Sequence, residues 1–240
     1  MRAVSQIGIT YPSAVVFDFD GVMVDTEPLH YAAFQEVLAP LGLSFSWSQY
    51  EEDLIGFDDR GVFREVFRRA GRVLPPEEEG DLIAAKGRAF VGSLRHGAAG
   101  ALQPLPGVAD WLHRLAGQIP LALCTGALPS DIEPLLSQFG FDRYFDVRVT
   151  AADTAVSKPD PAPYRLVLTR LHERFPQRVW EPSHVVAIED SAAGVASARA
   201  AGLRVVRIVR GAEERRDAWI WTVPTLDRLS PETVGAWCCA

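Results

Sequence analysis

Five short apolar runs, 14–19, 119–124, 146–150, 184–188 and 204–209, punctuate the 240-residue chain. They are nearly continuous rather than alternating, the pattern of strands buried on both faces of a parallel sheet. Helical periods follow the middle ones. Ile132, Leu135, Leu136 and Phe139 recur at i, i+3, i+4 and i+7, and so do Tyr164, Val167, Leu168 and Leu171. Such spacing gathers the side chains on one helix face. Ser130 with Glu133 predicts a capping box before the first of these helices, and Gly140 suits its stop. Gly194, Ala198 and Ala201 form a small-residue stripe that Gly202 ends. Strands alternating with helices predict an α/β fold built on a Rossmann-like, doubly wound parallel sheet.

One interval breaks this rhythm. About a hundred residues separate the first run from the second, where a βαβ unit needs only ~30. Phe34, Val37, Leu38 and Leu41 have the helical period, as do Phe63, Val66, Phe67 and Ala70, and a third helix is expected over 76–94. No strand signal separates them. The expected organisation is a core of residues 1–24 and 98–240 with a helical cap, residues 25–97, inserted after the first strand. Its second hinge is expected over 96–106, rich in Gly, Ala and Pro.

Composition narrows the class of protein. With 48% apolar and 23% charged residues the chain is globular rather than disordered. A formal charge of −7 argues against a nucleic-acid partner. Arg64, Arg68, Arg69 and Arg72 do cluster, but Glu65 and Glu77 to Glu79 lie beside them, so the cluster reads as a solvated helix face. Three cysteines cannot make a disulfide framework. Cys124 is assigned to the core, and Cys238 and Cys239 to a mobile tail. Low cysteine usage suits a reducing cytoplasm. The first residues lack a signal-peptide layout, and no apolar run approaches the ~20 residues of a membrane span. The expectation is a cytoplasmic protein, a monomer or weak homodimer, with no membrane partner.

The strand ends carry the chemistry. The first run closes on Phe17-Asp18-Phe19-Asp20-Gly21. Side-chain alternation points Asp18 and Asp20 one way. Two carboxylates ending an apolar strand are costly unless compensated, and Mg²⁺ compensates while needing few protein ligands. Ligands of open α/β sheets bind at this edge. The second run ends at Thr125-Gly126, a hydroxyl and a flexible backbone before a helix, which suits an anion. The third leads to Ser157-Lys158-Pro159, and the fourth ends at Glu189-Asp190-Ser191. Each piece alone has a bland explanation, as a cap or a surface lysine. Together, in order on one edge, they describe phosphoryl transfer: a carboxylate nucleophile, a second acid for proton transfer, and a hydroxyl and cation for the phosphoryl oxygens.

Asp18-Phe19-Asp20-Gly21-Val22 with Asp25-Thr26-Glu27, then Thr125-Gly126, Lys158-Pro159 and Glu189-Asp190-Ser191 with Gly194, resembles the four motifs of haloacid dehalogenase-like hydrolases. The helical insert resembles the cap of the subgroup that contains phosphoglycolate phosphatases and β-phosphoglucomutases. By this resemblance Asp18 is the nucleophile and Asp20 the acid/base. Asp18, the Asp20 carbonyl and Asp190 hold Mg²⁺, with Glu189 a ligand directly or through water. Thr125 and Lys158 contact the phosphoryl group, beside Gly21 and Gly126. The family's dehalogenases carry Tyr in place of the second aspartate, and its phosphonate-cleaving members also lack it, so Asp20 points to phosphate esters.

Substrate choice is expected in the insert, where the candidates are His30, Gly56, Asp58, Asp59 and Arg60. His30 has two readings, facing the cleft or exposed in a first helical turn. Mutases of the subgroup carry an Arg where this chain has Asp59, with Arg60 one place later. The expected function is Mg²⁺-dependent hydrolysis of a small phosphorylated metabolite, a sugar phosphate or a phosphoglycolate-like ester. A phosphosugar mutase and a non-catalytic binding module are the competing readings.

Overall fold

The computed structural model describes residues 11–55, 57–94 and 102–239. Five parallel strands coincide with the apolar runs to within one or two residues at each end: β1 (Ala14–Phe17), β2 (Leu121–Cys124), β3 (Val147–Val149), β4 (Val185–Glu189) and β5 (Arg204–Ile208). β1 stops short of its run because Phe19 O accepts from the N–H groups of Met23 and Val24, which turns the chain out of the ladder. Two further strands, absent from the sequence reading, extend the sheet. β7 (Ile220–Val223) runs parallel to β5, and β6 (Arg215–Arg216) pairs antiparallel with β7 at the edge. The order is β3-β2-β1-β4-β5-β7-β6.

Helices cover both faces of the sheet. Val15 and Phe17 join one core cluster with Trp111, Leu123, Leu135 and Ile188. Ala14 and Val16 join the other with Tyr164, Val167, Ala187 and Ala198. Successive residues of one strand thus feed opposite faces. The first cluster is supplied by α4 (Val108–Leu115) and α5 (Pro129–Phe139), the second by α6 (Ala162–Arg174) and α7 (Ala192–Ala200).

Between β1 and β2 lie α1 (Glu27–Leu38), a helical turn Trp47–Gln49 running into a π-helical turn Tyr50–Leu54, α2 (Asp59–Arg69) and α3 (Pro76–Ser93). The described residues of this stretch contain no strand. Phe34, Leu38, Tyr50, Phe63 and Phe67 bury one another in a third cluster, while Phe90 and Leu94 of the same stretch join the first. Gly56 and residues 95–101, which open the expected hinge over 96–106, lie outside the described residues.

Two expectations are corrected. Ser130 and Glu133 make no capping box, because Pro129 already opens α5 with Leu128 as its N-cap. Ser130 Oγ donates instead to Asp131 Oδ1 at 3.1 Å. Residues 230–239 do not form a mobile tail. Ser230 caps α8 (Pro231–Cys238) by accepting from Thr233 N–H, and Val234, Trp237 and Cys238 are buried. Gly140 does end α5, at φ 66°. Of the arginine cluster, Arg64, Arg68 and Arg69 pair with Glu65, Glu79 and Asp53 on the surface, and Arg72 donates to the Leu41 carbonyl.

Candidate active site

Strand register assembles the acidic edge. Phe17 aligns with Ile188 of β4 and with Leu123 of β2, so the residues that follow stand side by side. Asp18 Oδ1 lies 2.9 Å from Lys158 Nζ, which also donates to Glu189 Oε1 at 2.6 Å and to the Cys124 carbonyl at 2.9 Å. The Tyr164 hydroxyl donates to the same Glu189 oxygen. Glycine makes the room. A Cβ on Gly194 would sit 1.9 Å from Glu189 Oε2, and one on Gly21, at φ 69°, would sit 2.0 Å from Asp190 Oδ2. Ser191 caps α7 and accepts from Gly194 N–H at 2.9 Å.

One oxygen each of Asp18, Glu189 and Asp190 lies within 4.8 Å of the others. Burial, with the charges of Glu189, Asp190 and Asp20 added, pushes the Asp18 carboxyl well above the carboxylate range despite Lys158. Burial and then Glu189 push Asp190 up to about 8. Burial pulls Lys158 down, but Asp18 and Glu189 outweigh it and hold its ammonium charged. Three carboxylates therefore face one ammonium in a largely buried site. That surplus of negative oxygen donors, with no imidazole or thiolate among them, fits a hard divalent cation such as Mg²⁺.

Asp20 has different surroundings. Thr26 Oγ1 donates to its Oδ1, and His30 Nε2 lies 3.2 Å from the same oxygen. Lys86 Nζ lies 2.6 Å from His30 Nδ1. An ammonium only donates, so Nδ1 accepts and Nε2 donates to Asp20. The imidazole stacks on Phe90 at 4.3 Å. Burial would raise the Asp20 carboxyl, but His30 and the hydrogen bonds from His30 and Thr26 hold it below its ordinary range.

The structure brings Asp18, Asp20, His30, Thr125, Gly126, Lys158 and Asp190 to one pocket. His30 is buried in it, which decides between its two readings. Thr125 Oγ1 accepts from Ala127 N–H at 3.0 Å, so its hydroxyl proton is free to point at a ligand. Glu189 is fully buried behind the pocket wall, and Gly21 lies under Asp190. Asp59 lines the pocket, whereas Asp58 caps α2. Arg60 does not join them. It lines a neighbouring cleft and donates to the Ala155 carbonyl at 3.3 Å, its Nε 3.8 Å from Glu79. The sequence pattern did not mark Lys86, Asp131 or Tyr50, and it marked Tyr164 only as part of a helix face and not as a partner of Glu189. Lys86 had a signal: with Ile83 and Phe90 it falls on the buried face of α3.

An aspartate-rich sheet edge gripping one buried lysine defines a class of α/β hydrolases that work through carboxylates. A family model described as haloacid dehalogenase-like hydrolase matches residues 12–202, and the chain belongs to that family. It is 31% identical over 232 residues to protein CbbY of Rhodobacter capsulatus, covering 92% of this chain and 96% of the relative. It is 33% identical over 202 residues to a phosphorylated carbohydrates phosphatase of Thermotoga maritima, covering 79% and 82%. The solved structure of a variant CbbY from Rhodobacter sphaeroides in complex with xylulose-(1,5)bisphosphate superposes with a TM-score of 0.76 at 28% identity, covering 91% of this chain and 96% of that one. The chain is a phosphatase of the haloacid dehalogenase-like type, a hydrolase of phosphoric monoesters.

Proposed function

We propose that this phosphatase hydrolyses monophosphate esters of small sugars, with Asp18 as nucleophile and Asp20 as acid and base. The observation that carries the reading is the contrast of two aspartates in one pocket, Asp18 against Lys158 and Asp20 under Thr26 and His30. Divergent environments are how paired carboxylates take separate roles.

Asp20, whose carboxyl is held below its ordinary range in the free pocket, takes up a proton as the phosphate ester binds. Asp18 then attacks phosphorus and the bond to the sugar oxygen breaks, while Asp20 gives that proton to the leaving alcohol. Asp20, now ionised, takes a proton from water as that water attacks the aspartyl phosphate. Inorganic phosphate leaves, Asp18 is free again, and Asp20 returns the proton to solvent. His30 and Thr26 orient the Asp20 carboxyl for both transfers. Lys158, the Thr125 hydroxyl and the Gly126 backbone hold the phosphoryl oxygens. Mg²⁺, when held by Asp18, Asp190 and the Asp20 carbonyl with Glu189 direct or through water, neutralises phosphate charge and orients the ester.

The leaving-group side of the pocket supports a neutral, hydroxylated group. Asp59 and Glu27 offer carboxylate acceptors, and Phe34 and Phe57 offer apolar faces. A second phosphate would meet the Asp59 carboxylate, which opposes a bisphosphate or mutase reaction. Low cysteine usage supports a cytoplasmic enzyme. Among the described residues no helix is long and apolar enough to cross a membrane.

Phosphate release from a panel of sugar monophosphates, phosphoglycolate and sugar bisphosphates, with Mg²⁺, tests the reading. Sugar monophosphates are expected to lead. β-Glucose 1-phosphate with a trace of glucose 1,6-bisphosphate is expected to yield free phosphate. Glucose 6-phosphate formed without free phosphate would instead establish the mutase.

A further inference from the structure

Lys86 is fully buried, and its ammonium has carboxylates on two sides. Asp59 Oδ1, from α2, is 2.8 Å away. Asp131 Oδ2, 3.8 Å away, comes from α5, which follows β2 and packs on the sheet. Asp131 is 1% exposed, and its Oδ2 has no hydrogen-bond partner among the described residues. A buried carboxylate oxygen left without a bond is costly, and nothing in the sheet's own packing compensates it. The neighbouring charge that does is the ammonium across the boundary. Ile132, Leu135 and Leu136 root α5 in the core beside Asp131. Gly87 of α3 faces the same carboxylate, where a Cβ would make only ordinary contact, 3.9 Å from Asp131 Oδ1.

We propose that Asp131 is a positioning residue for the phosphatase reaction: from the sheet side it holds the Lys86 ammonium against His30, and through His30 it keeps Asp20 placed to protonate the leaving alcohol. The inference rests on the acid/base reading of Asp20 given above. Lys86 serves both ends of the arrangement. It donates to His30 Nδ1, which obliges His30 Nε2 to donate to Asp20, so the direction of the chain is set at the lysine. With Asp131 gone, Asp59 would be the one carboxylate left within 4 Å of the ammonium among the described residues, and it would draw the ammonium toward α2 and off the axis of the imidazole. Asp131 follows β2, whereas Lys86 lies in the stretch between β1 and β2. The chain Asp131–Lys86–His30–Asp20 is therefore complete only when those helices sit down on the sheet, which ties proton transfer to a closed pocket.

The discriminating measurement is dependence on the leaving group. p-Nitrophenolate departs without a proton, whereas a sugar alkoxide needs one. kcat/KM covers binding and phosphoryl transfer to Asp18, so slow attack by water does not mask the comparison. Asp131→Asn keeps the size and removes the charge. It is expected to lower kcat/KM for a sugar monophosphate by roughly tenfold to a hundredfold, and for p-nitrophenyl phosphate by less than about threefold. Lys86→Met is expected to show the same selectivity, and the double variant to fall no further than Lys86→Met alone. A merely structural role would lower both esters together. Equal losses, or no loss on the sugar ester, would overturn the proposal. Asp131→Ser carries the same comparison should melting show that Asp131→Asn does not fold. Asp20→Asn run alongside separates the two levels. If it selectively loses the sugar ester and Asp131→Asn does not, the Asp131 inference fails alone. If Asp20→Asn spares the sugar ester, the acid/base reading fails first.

Discussion

The two aspartates of the pocket are one residue apart and are built by different machinery. Asp18 belongs to the sheet: strand register sets it beside Glu189 and Asp190, and one lysine ties them. Asp20 belongs to the helices: Thr26, His30 and Lys86 all come from the stretch between β1 and β2. The first setting has surplus negative charge, and the second supplies donors and a cation. On the proposed mechanism, chemistry common to every phosphate ester is lodged in the sheet edge, and proton traffic, which depends on the leaving group, on the helical side. A change on the sheet side is expected to silence all substrates, and one on the helical side to alter their ranking.

The largest effect is expected from Asp18→Asn. The amide keeps the shape and loses the nucleophile, so turnover of every ester is expected to fall by several orders of magnitude. The fold is expected to persist, since removing one of three crowded carboxylates relieves repulsion. Activity against a sugar phosphate and p-nitrophenyl phosphate, with a melting curve, checks this. Near-normal turnover of either ester would remove Asp18 from its role and dissolve the contrast between the two sides.

A smaller effect concerns stability. In metal-free protein Asp190 is pushed from 3.8 up to about 8, and Asp18 shifts the same way. Between those values the folded protein keeps protons that the unfolded chain has released. Stability is then full at low pH and is lost as pH rises through about 8. Carboxylates held low, such as Asp20 and Glu65, finish titrating below this window. Melting temperature in chelator is expected to fall from pH 5 to pH 8. The increment given by Mg²⁺ is expected to grow over the same range to several degrees. An increment equal at both ends would show that Mg²⁺ does not meet these acids.

The asymmetry also governs what could be read from the sequence. The sheet-side residues sit at the ends of apolar runs, where a charged residue after a buried strand stands out. The helical side offers no such landmark. Lys86 reads as one lysine in a polar helix until Ile83 and Phe90 are seen to share its face. Asp131 was hidden behind a capping box that Pro129 pre-empted. Val108, Trp111, Leu112 and Leu115 have the period of α4, but the Gly- and Pro-rich approach to them suggested only a hinge. β6 is two exposed arginines and emits no apolar signal; it exists because β7 offers it an edge. Contacts between distant segments, such as Trp237 on Trp221 at 5.6 Å, fixed α8 where local sequence suggested a loose end.

The smallest effect, and the sharpest limit on the helical side, is expected at Arg60. The sequence placed it at the substrate, but the structure turns it to a separate cleft with Asp58, Lys158 and Pro159. Its guanidinium is about one-third exposed and has three claims on it: the Ala155 carbonyl, Asp58 at 4.0 Å and Glu79 at 3.8 Å. Exposed pairs of this kind contribute little to stability, about 0–1 kcal/mol. Asp59, one residue earlier, takes the place at the pocket. Arg60→Ala is therefore expected to change kcat/KM for a sugar monophosphate by less than about threefold and to leave the melting temperature within about 2 °C. Asp59→Asn, measured beside it, is expected to shift the ranking toward bisphosphates, since it removes the charge that a second phosphate would meet. A hundredfold loss in Arg60→Ala, with no change of ranking in Asp59→Asn, would mean that α2 turns when substrate binds. Specificity would then belong to the arginine that the resting pocket leaves out.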